Sequence, residues 1–183
     1  MNLPVISDVY EIDKYIATML VEQSQLDSNR IINGLSIRGV ELAKFIEDSI
    51  ELSYNIKDSV IIFERFSEDN ENINFSEELS TSSIRQTMYH KIHIIIYGMK
   101  SAMLANLLRA RCMSENVEDS LSTVGIYLSS VSQVSSMNEF INNTVWPRAD
   151  FDIYTCSEIE VSQLLDNNQI DTIDNATYYT DDK

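Results

Sequence analysis

The chain is short of the residues that turn and break a polypeptide. Its 183 residues include only four glycines and two prolines, and the prolines stand near the two ends, at Pro4 and Pro147. Across residues 5–146 nothing forbids helix outright, because proline is the main interior helix breaker. An all-β fold asks for more turn residues than this sequence owns. Cysteine is scarce as well: Cys112 and Cys156 stand alone, which excludes a disulfide framework and points to a reducing compartment. Long apolar runs are missing, since Ile92-His-Ile-Ile-Ile-Tyr is too short and interrupted to span a bilayer. The first residues hold neither a basic stretch nor an apolar core, so no secretory signal is visible, and the expected location is the cytoplasm or a virion. The glycosylation-type triplets at Asn74, Asn142 and Asn175 then read as chance matches.

Acidic residues are absent from one stretch of an otherwise acidic chain. The net charge is −16, yet no Asp or Glu occurs between Glu78 and Glu115, a gap that holds Arg85, Lys91, Lys100, Arg109, Arg111, His90 and His93. Residues 1–84 net −10, residues 85–111 net +5 and residues 112–183 net −11. A pI near 4.3 argues against broad contact with nucleic-acid phosphates or an anionic membrane, which attract cationic faces. The basic residues are expected to meet protein carboxylates, within one subunit or as a salt-bridge rim between subunits.

What is present suggests helices. An apolar share of 44% with 23% charged residues fits one domain long enough to bury a core. Asp8 and Glu11 resemble a capping box, and Val9, Ile12, Ile16, Met19 and Leu20 follow at helical spacing to about Leu26. A second helical region is expected over 28–53, weakened by Gly34 and Gly39. Residues 58–66 contain Val60-Ile-Ile-Phe, a run that periodicity cannot assign to helix or strand. Residues 67–78 are acidic, rich in Asn and expected as a loop. Over 82–113, Ile84, Met88, Ile92, Ile95, Met99, Met103 and Leu107 recur every three or four residues, and the opposite side is also apolar. This predicts a central, mostly buried helix. A further helix is expected over 114–142, with Val117, Leu121, Val124, Leu128 and Val131 as its seam.

Within that last segment residues 120–138 carry no charge and are rich in Ser. Small neutral side chains permit close approach at little entropic cost, so Ser122, Gly125, Ser129, Ser132 and Ser136 form a candidate association face. After Pro147, Ala149, Phe151 and Ile153 alternate with Asp150, Asp152 and Tyr154, as an extended segment does, and Ser157 with Glu160 suggests a short helix. Residues 149–182 hold nine acids and no Lys or Arg. They read as an acidic arm that docks on a partner through Phe151, Ile153, Ile159, Val161, Leu164 and Leu165.

Motifs for chemistry are few. His90 and His93, with Cys112 or Cys156, make a weak metal-ligand pattern without Cys-x-x-Cys or His-Glu-x-x-His support. No phosphate loop, dinucleotide fingerprint, calcium loop or nucleophile elbow occurs. The expectation is therefore no cofactor, no metal and no catalysis. The predicted architecture is an all-α bundle of about five helices (residues 1–147) with an extended acidic C-terminal arm (148–183). The predicted role is a non-enzymatic subunit of a larger protein assembly, homo-oligomeric or mixed, plausibly a virion component of connector or neck type by architectural analogy alone. No direct nucleic-acid or membrane contact is expected. The alternative is an acidic inhibitor that mimics nucleic acid or occludes a basic site on a target.

Overall fold

The computed structural model describes residues 6, 9–34, 56–68, 83–141 and 143–162. Along them run helix α1 (Val9–Ser24), a single 3-10 turn (Ser28–Arg30), strands β1 (Ile31–Asn33), β2 (Val60–Glu68) and β3 (Ser83–Tyr97), helices α2 (Ser101–Cys112) and α3 (Glu115–Thr123), and strands β4 (Ile126–Val131), β5 (Ser135–Ile141) and β6 (Thr144–Ser162). The fold is mixed α/β, and the expected all-α bundle is overturned by a six-stranded sheet.

The sheet is ordered β1-β2-β3-β6-β4, with β5 also on β6. Only the β1–β2 pair is parallel. The centre is β3 against β6, which keep one register from Ser83↔Ser162 to Tyr97↔Arg148. On its other side β6 meets β5 over Thr144–Asp150 and β4 over Ile153–Ser157. Here the expected 82–113 helix fails over Ser83–Tyr97, which is strand, and only Ser101–Cys112 of it is helical, as α2. Ile92, Ile94 and Ile96 face one core while Ile95 and Tyr97 face another. A strand buried on both faces loses its period of two and mimics an all-round apolar helix. Its β-branched isoleucines were the signal that favoured a strand.

The helices cover one face. Ile12, Ile16, Met19 and Leu20 of α1, Leu104, Ala105 and Leu108 of α2, and Val117 and Leu121 of α3 pack on Ile61, Phe63, Ile92, Ile94, Ile96, Ala149, Phe151 and Ile153 of the sheet. On the opposite face Ile62, Ile95, Tyr97, Ile141 and Trp146 form a smaller cluster. The expected 114–142 helix is helical only to Thr123, where Gly125 at φ 82° turns the chain into β4. Gly98 is required too. At φ 118° it links β3 to α2, and a Cβ there would lie 2.1 Å from the Asp58 carbonyl oxygen.

The C-terminal arm is likewise corrected, because residues 144–162 form one continuous strand at the sheet's centre. Pro147 does not break it. The Gly98 N–H donates to the Pro147 carbonyl at 3.0 Å, so this residue turns its backbone toward the β3 side. There β3 has already ended at Tyr97↔Arg148, and the N–H that proline lacks is not needed. The boundary expected at 147/148 falls inside β6, and the capping-box match at Ser157 is strand. Within the stretch 58–66, left open by the sequence, residues 60–66 are strand, and the strand runs on through Ser67 and Glu68, the first two residues of the expected loop. Of the expected 28–53 helix, the described part is the 3-10 turn and β1, and residues 35–53 lie outside the described residues, as does most of the expected 67–78 loop.

Candidate assembly surfaces

Alternation along β3 sends its polar residues to different places. His90 turns toward the helix side, where Nε2 sits 2.8 Å from Ser157 Oγ, both groups buried. Burial, with a smaller contribution from the Arg65 charge, lowers the His90 pKa to about 4 and keeps the ring neutral. Lys91 and His93 face the other way. The Asp152 carboxylate takes Lys91 Nζ at 3.3 Å and His93 Nδ1 at 2.7 Å. Further along the same face Arg148 holds Asp150 at 2.7 Å and Glu139 at 3.0 Å, and lies over the Tyr97 ring at 5.8 Å. The Tyr97 hydroxyl donates to Glu139 at 2.5 Å. Burial first, then that bond, hold the phenol well above its ordinary pKa. Each carboxylate here has a cation or hydroxyl of its own, so the network is a brace between β3, β5 and β6 and offers no free base.

The metal pattern is not assembled. His90 and His93 are on opposite faces of β3, Cys112 is buried in the helical layer with its thiol pushed up to about 12 by burial, and among the described residues no three His, Cys, Asp or Glu side chains are grouped to hold an ion. Between α1 and α3 an open groove of about 430 Å³ is lined by Tyr15, Thr18, Glu22, Asn116 and Ser120 among others. It has a single charged group and no cluster of titratable side chains. No helix of the described residues is long and apolar enough to cross a membrane.

Of the proposed salt-bridge rim, three side chains bond within the subunit: Lys91 to Asp152, Arg109 Nε to the Ser132 carbonyl at 2.6 Å, and Arg111 to the Gln23 carbonyl. Lys100 is exposed at the start of α2, and Arg85 pairs in register with Glu160. The proposed association face is divided. Ser122 lies in α3 and Gly125 in the turn after it, while Ser129, Ser132 and Ser136 lie along the β4–β5 edge. Of the proposed docking residues, Phe151 and Ile153 are buried in the core, Ile159 and Val161 stand opposite Gln86 and Ile84 in the β3 register, and Leu164 and Leu165 fall outside the described residues.

A family model described as phage neck terminator protein matches residues 52–182, which takes in the sheet from β2 to β6 with α2 and α3. The chain belongs to the phage neck terminator family. It is a structural component of the phage neck, located in the virion and assembled with other virion proteins. No curated protein matches it. In this neck terminator chain α1 and β1 precede the matched region. Strand β1 is tied to it by its parallel pairing with β2, and helix α1 by a buried ion pair, Arg65 Nε to Asp13 Oδ1 at 2.7 Å. Sequence reasoning missed that pair, since the two residues are 52 positions apart. It also missed the exposed apolar residues Met99, Met103 and Leu107 beside α2 and Phe140 and Val145 on β5–β6. For the α2 residues the helical spacing was visible but was assigned to the core.

Proposed function

We propose that this neck component is a non-enzymatic packing subunit that associates with copies of itself and with neighbouring virion proteins, without direct contact to nucleic acid or membrane. The family match across β2 to β6 carries the reading. The electrostatics support it. Arg65, Lys91, Arg109, Arg111 and Arg148 are engaged by carboxylates or carbonyls of their own subunit. A chain with a net charge of −16 also repels the phosphates of DNA as a whole.

Chemical cross-linking of purified virions, read by mass spectrometry, tests it directly. Links from this chain to itself and to neck proteins are expected. Absence of the chain from intact particles would overturn the reading. In a mobility-shift assay at about 50 mM salt the purified chain should leave duplex and single-stranded DNA unretarded. A shift that fades steeply with salt would place it on nucleic acid instead.

A further inference from the structure

We propose that the outer edge of β5, continued by β4, is where a second copy of this chain joins, adding a strand to the sheet through backbone hydrogen bonds. The inference rests on the reading above that copies associate.

The backbone sets the site. Ile141↔Thr144 closes a two-residue turn, with Asn143 at φ 64°, and such turns close on a hydrogen-bonded pair. Alternate residues Ser135, Met137 and Glu139 therefore bond to β6, while Ser136, Asn138 and Phe140 direct their N–H and C=O away from it. The Gly98 bond to Pro147, which turns toward β3, agrees with this alternation on the β6 side. Among the described residues no other strand takes up that outer side. β4 is interrupted by a bulge between Leu128 and Ser130, and at Ser132 the ladder is completed by the side chain, whose Oγ accepts from Asp152 N at 2.8 Å. The seven residues of β5 are the uninterrupted stretch.

Soluble sheets defend such an edge with charge, proline or a cover. Residues 126–141 contain one charged residue, Glu139, and it is turned onto Arg148 and Tyr97. Apolar side chains flank the edge on both faces. Phe140 and Val145 are a cross-strand pair 67% and 50% exposed, and Met137, on the opposite face, is 47% exposed. A strand laid along β5 would lie beside Phe140 and Met137, one on each face.

Charge selects the occupant. Two chains at −16 repel wherever their acids meet. A basic partner would be drawn to those acids, whereas a charge-free edge is the surface on which two like-charged copies approach without penalty. A strand edge is also self-complementary, because any extended backbone offers alternating donors and acceptors.

The test uses the full chain in sedimentation velocity over a concentration series. Asn138→Pro deletes one outward N–H while leaving the bonds to β6. Ser136→Lys with Asn138→Lys places charge on the edge and, by lowering the net negative charge, reduces general repulsion between copies. Wild type should associate with rising concentration. Both variants should require at least about tenfold more protein, with unchanged circular dichroism. Amide exchange should slow on association at Ser136, Asn138 and Phe140, and remain slow throughout at Ser135, Met137 and Glu139. If the proline variant unfolds, the lysine pair decides. Variants that associate like wild type would sink the edge while leaving self-association intact. A wild type that stays monomeric at every concentration removes both.

Discussion

The middle of the sheet and its β4–β5 edge handle polar groups in opposite ways. At the centre, the charged side chains and the buried histidine are partnered: Arg65 with Asp13, His90 with Ser157, Arg148 with Asp150 and Glu139. Among the described residues the buried Thr155 hydroxyl and Trp146 indole N–H have no hydrogen-bond partner. Apart from Arg148–Asp150, which lies within β6, each pair fixes one strand or helix against another, and Arg65–Asp13 and His90–Ser157 join residues more than fifty positions apart. Along the edge, Ser129, Ser130, Gln133, Ser135, Ser136 and Asn138 are exposed and neutral. A buried charge without its partner costs several kcal/mol, so the centre holds its charges in pairs. An exposed hydroxyl costs nothing, so the edge can present its backbone. The difference separates what defines the subunit from what is available to its neighbours.

The comparison breaks most completely if β6 is removed. A chain ending at Trp146 loses the register with β3 from Arg148 to Ser162 and the whole of its pairing with β4. It should show no cooperative thermal transition by circular dichroism, and a sharp melt near that of the full chain would mean that β6 is dispensable. Next in size, Asp13→Ala removes the buried carboxylate that accepts from Arg65 Nε and Nη2. Urea denaturation should show a loss of about 3–5 kcal/mol, and a loss below about 1 kcal/mol would show the pair to be ornamental.

The His90 ring sharpens the contrast through pH. Its folded pKa of about 4 lies below the ordinary 6.5, so the unfolded chain takes up the proton first as pH falls. Its contribution is complete above about pH 6.5 and is lost toward pH 4, by as much as about 3 kcal/mol. The stability difference between wild type and His90→Gln should therefore shift against wild type over that window, and a pH-independent difference would contradict the burial. The smallest effect belongs to the edge: Ser136→Lys should alter stability by less than about 0.5 kcal/mol, whatever it does to association. Ser132→Lys should behave differently from its neighbours, because the Ser132 hydroxyl completes the ladder to Asp152.

Where the sequence was legible, a single buried stripe made it so. Helix α1 follows the spacing of Ile12, Ile16, Met19 and Leu20, and its observed end at Ser24 lies close to the expected one. The alternation from Ala149 to Tyr154 was read as extended and is extended. It was placed outside the fold because its acids suggested solvent, whereas Asp150 and Asp152 are taken up by Arg148, Lys91 and His93. Strand β3 was lost because both its faces are buried, and 3-to-4 spacings arise by chance in any dense apolar run. The scarcity of glycine and proline misled for a related reason. Strands of 15 and 19 residues use few turns, and the tight hairpin is served by Asn143 in the left-handed region. The neutral segment 120–138 stood out in the sequence for its lack of charge, and Gly125 divides it into a helix end and an edge strand.

The position of β6 also has a consequence in time. It is the last described strand in the chain, yet β4 and β5 reach the rest of the sheet only through it. During synthesis, β2 and β3 emerge first and can pair as a hairpin, but the edge has no place to attach until residues 144–162 have left the ribosome. A truncated or stalled chain therefore cannot display a properly built edge, and only a finished subunit presents one.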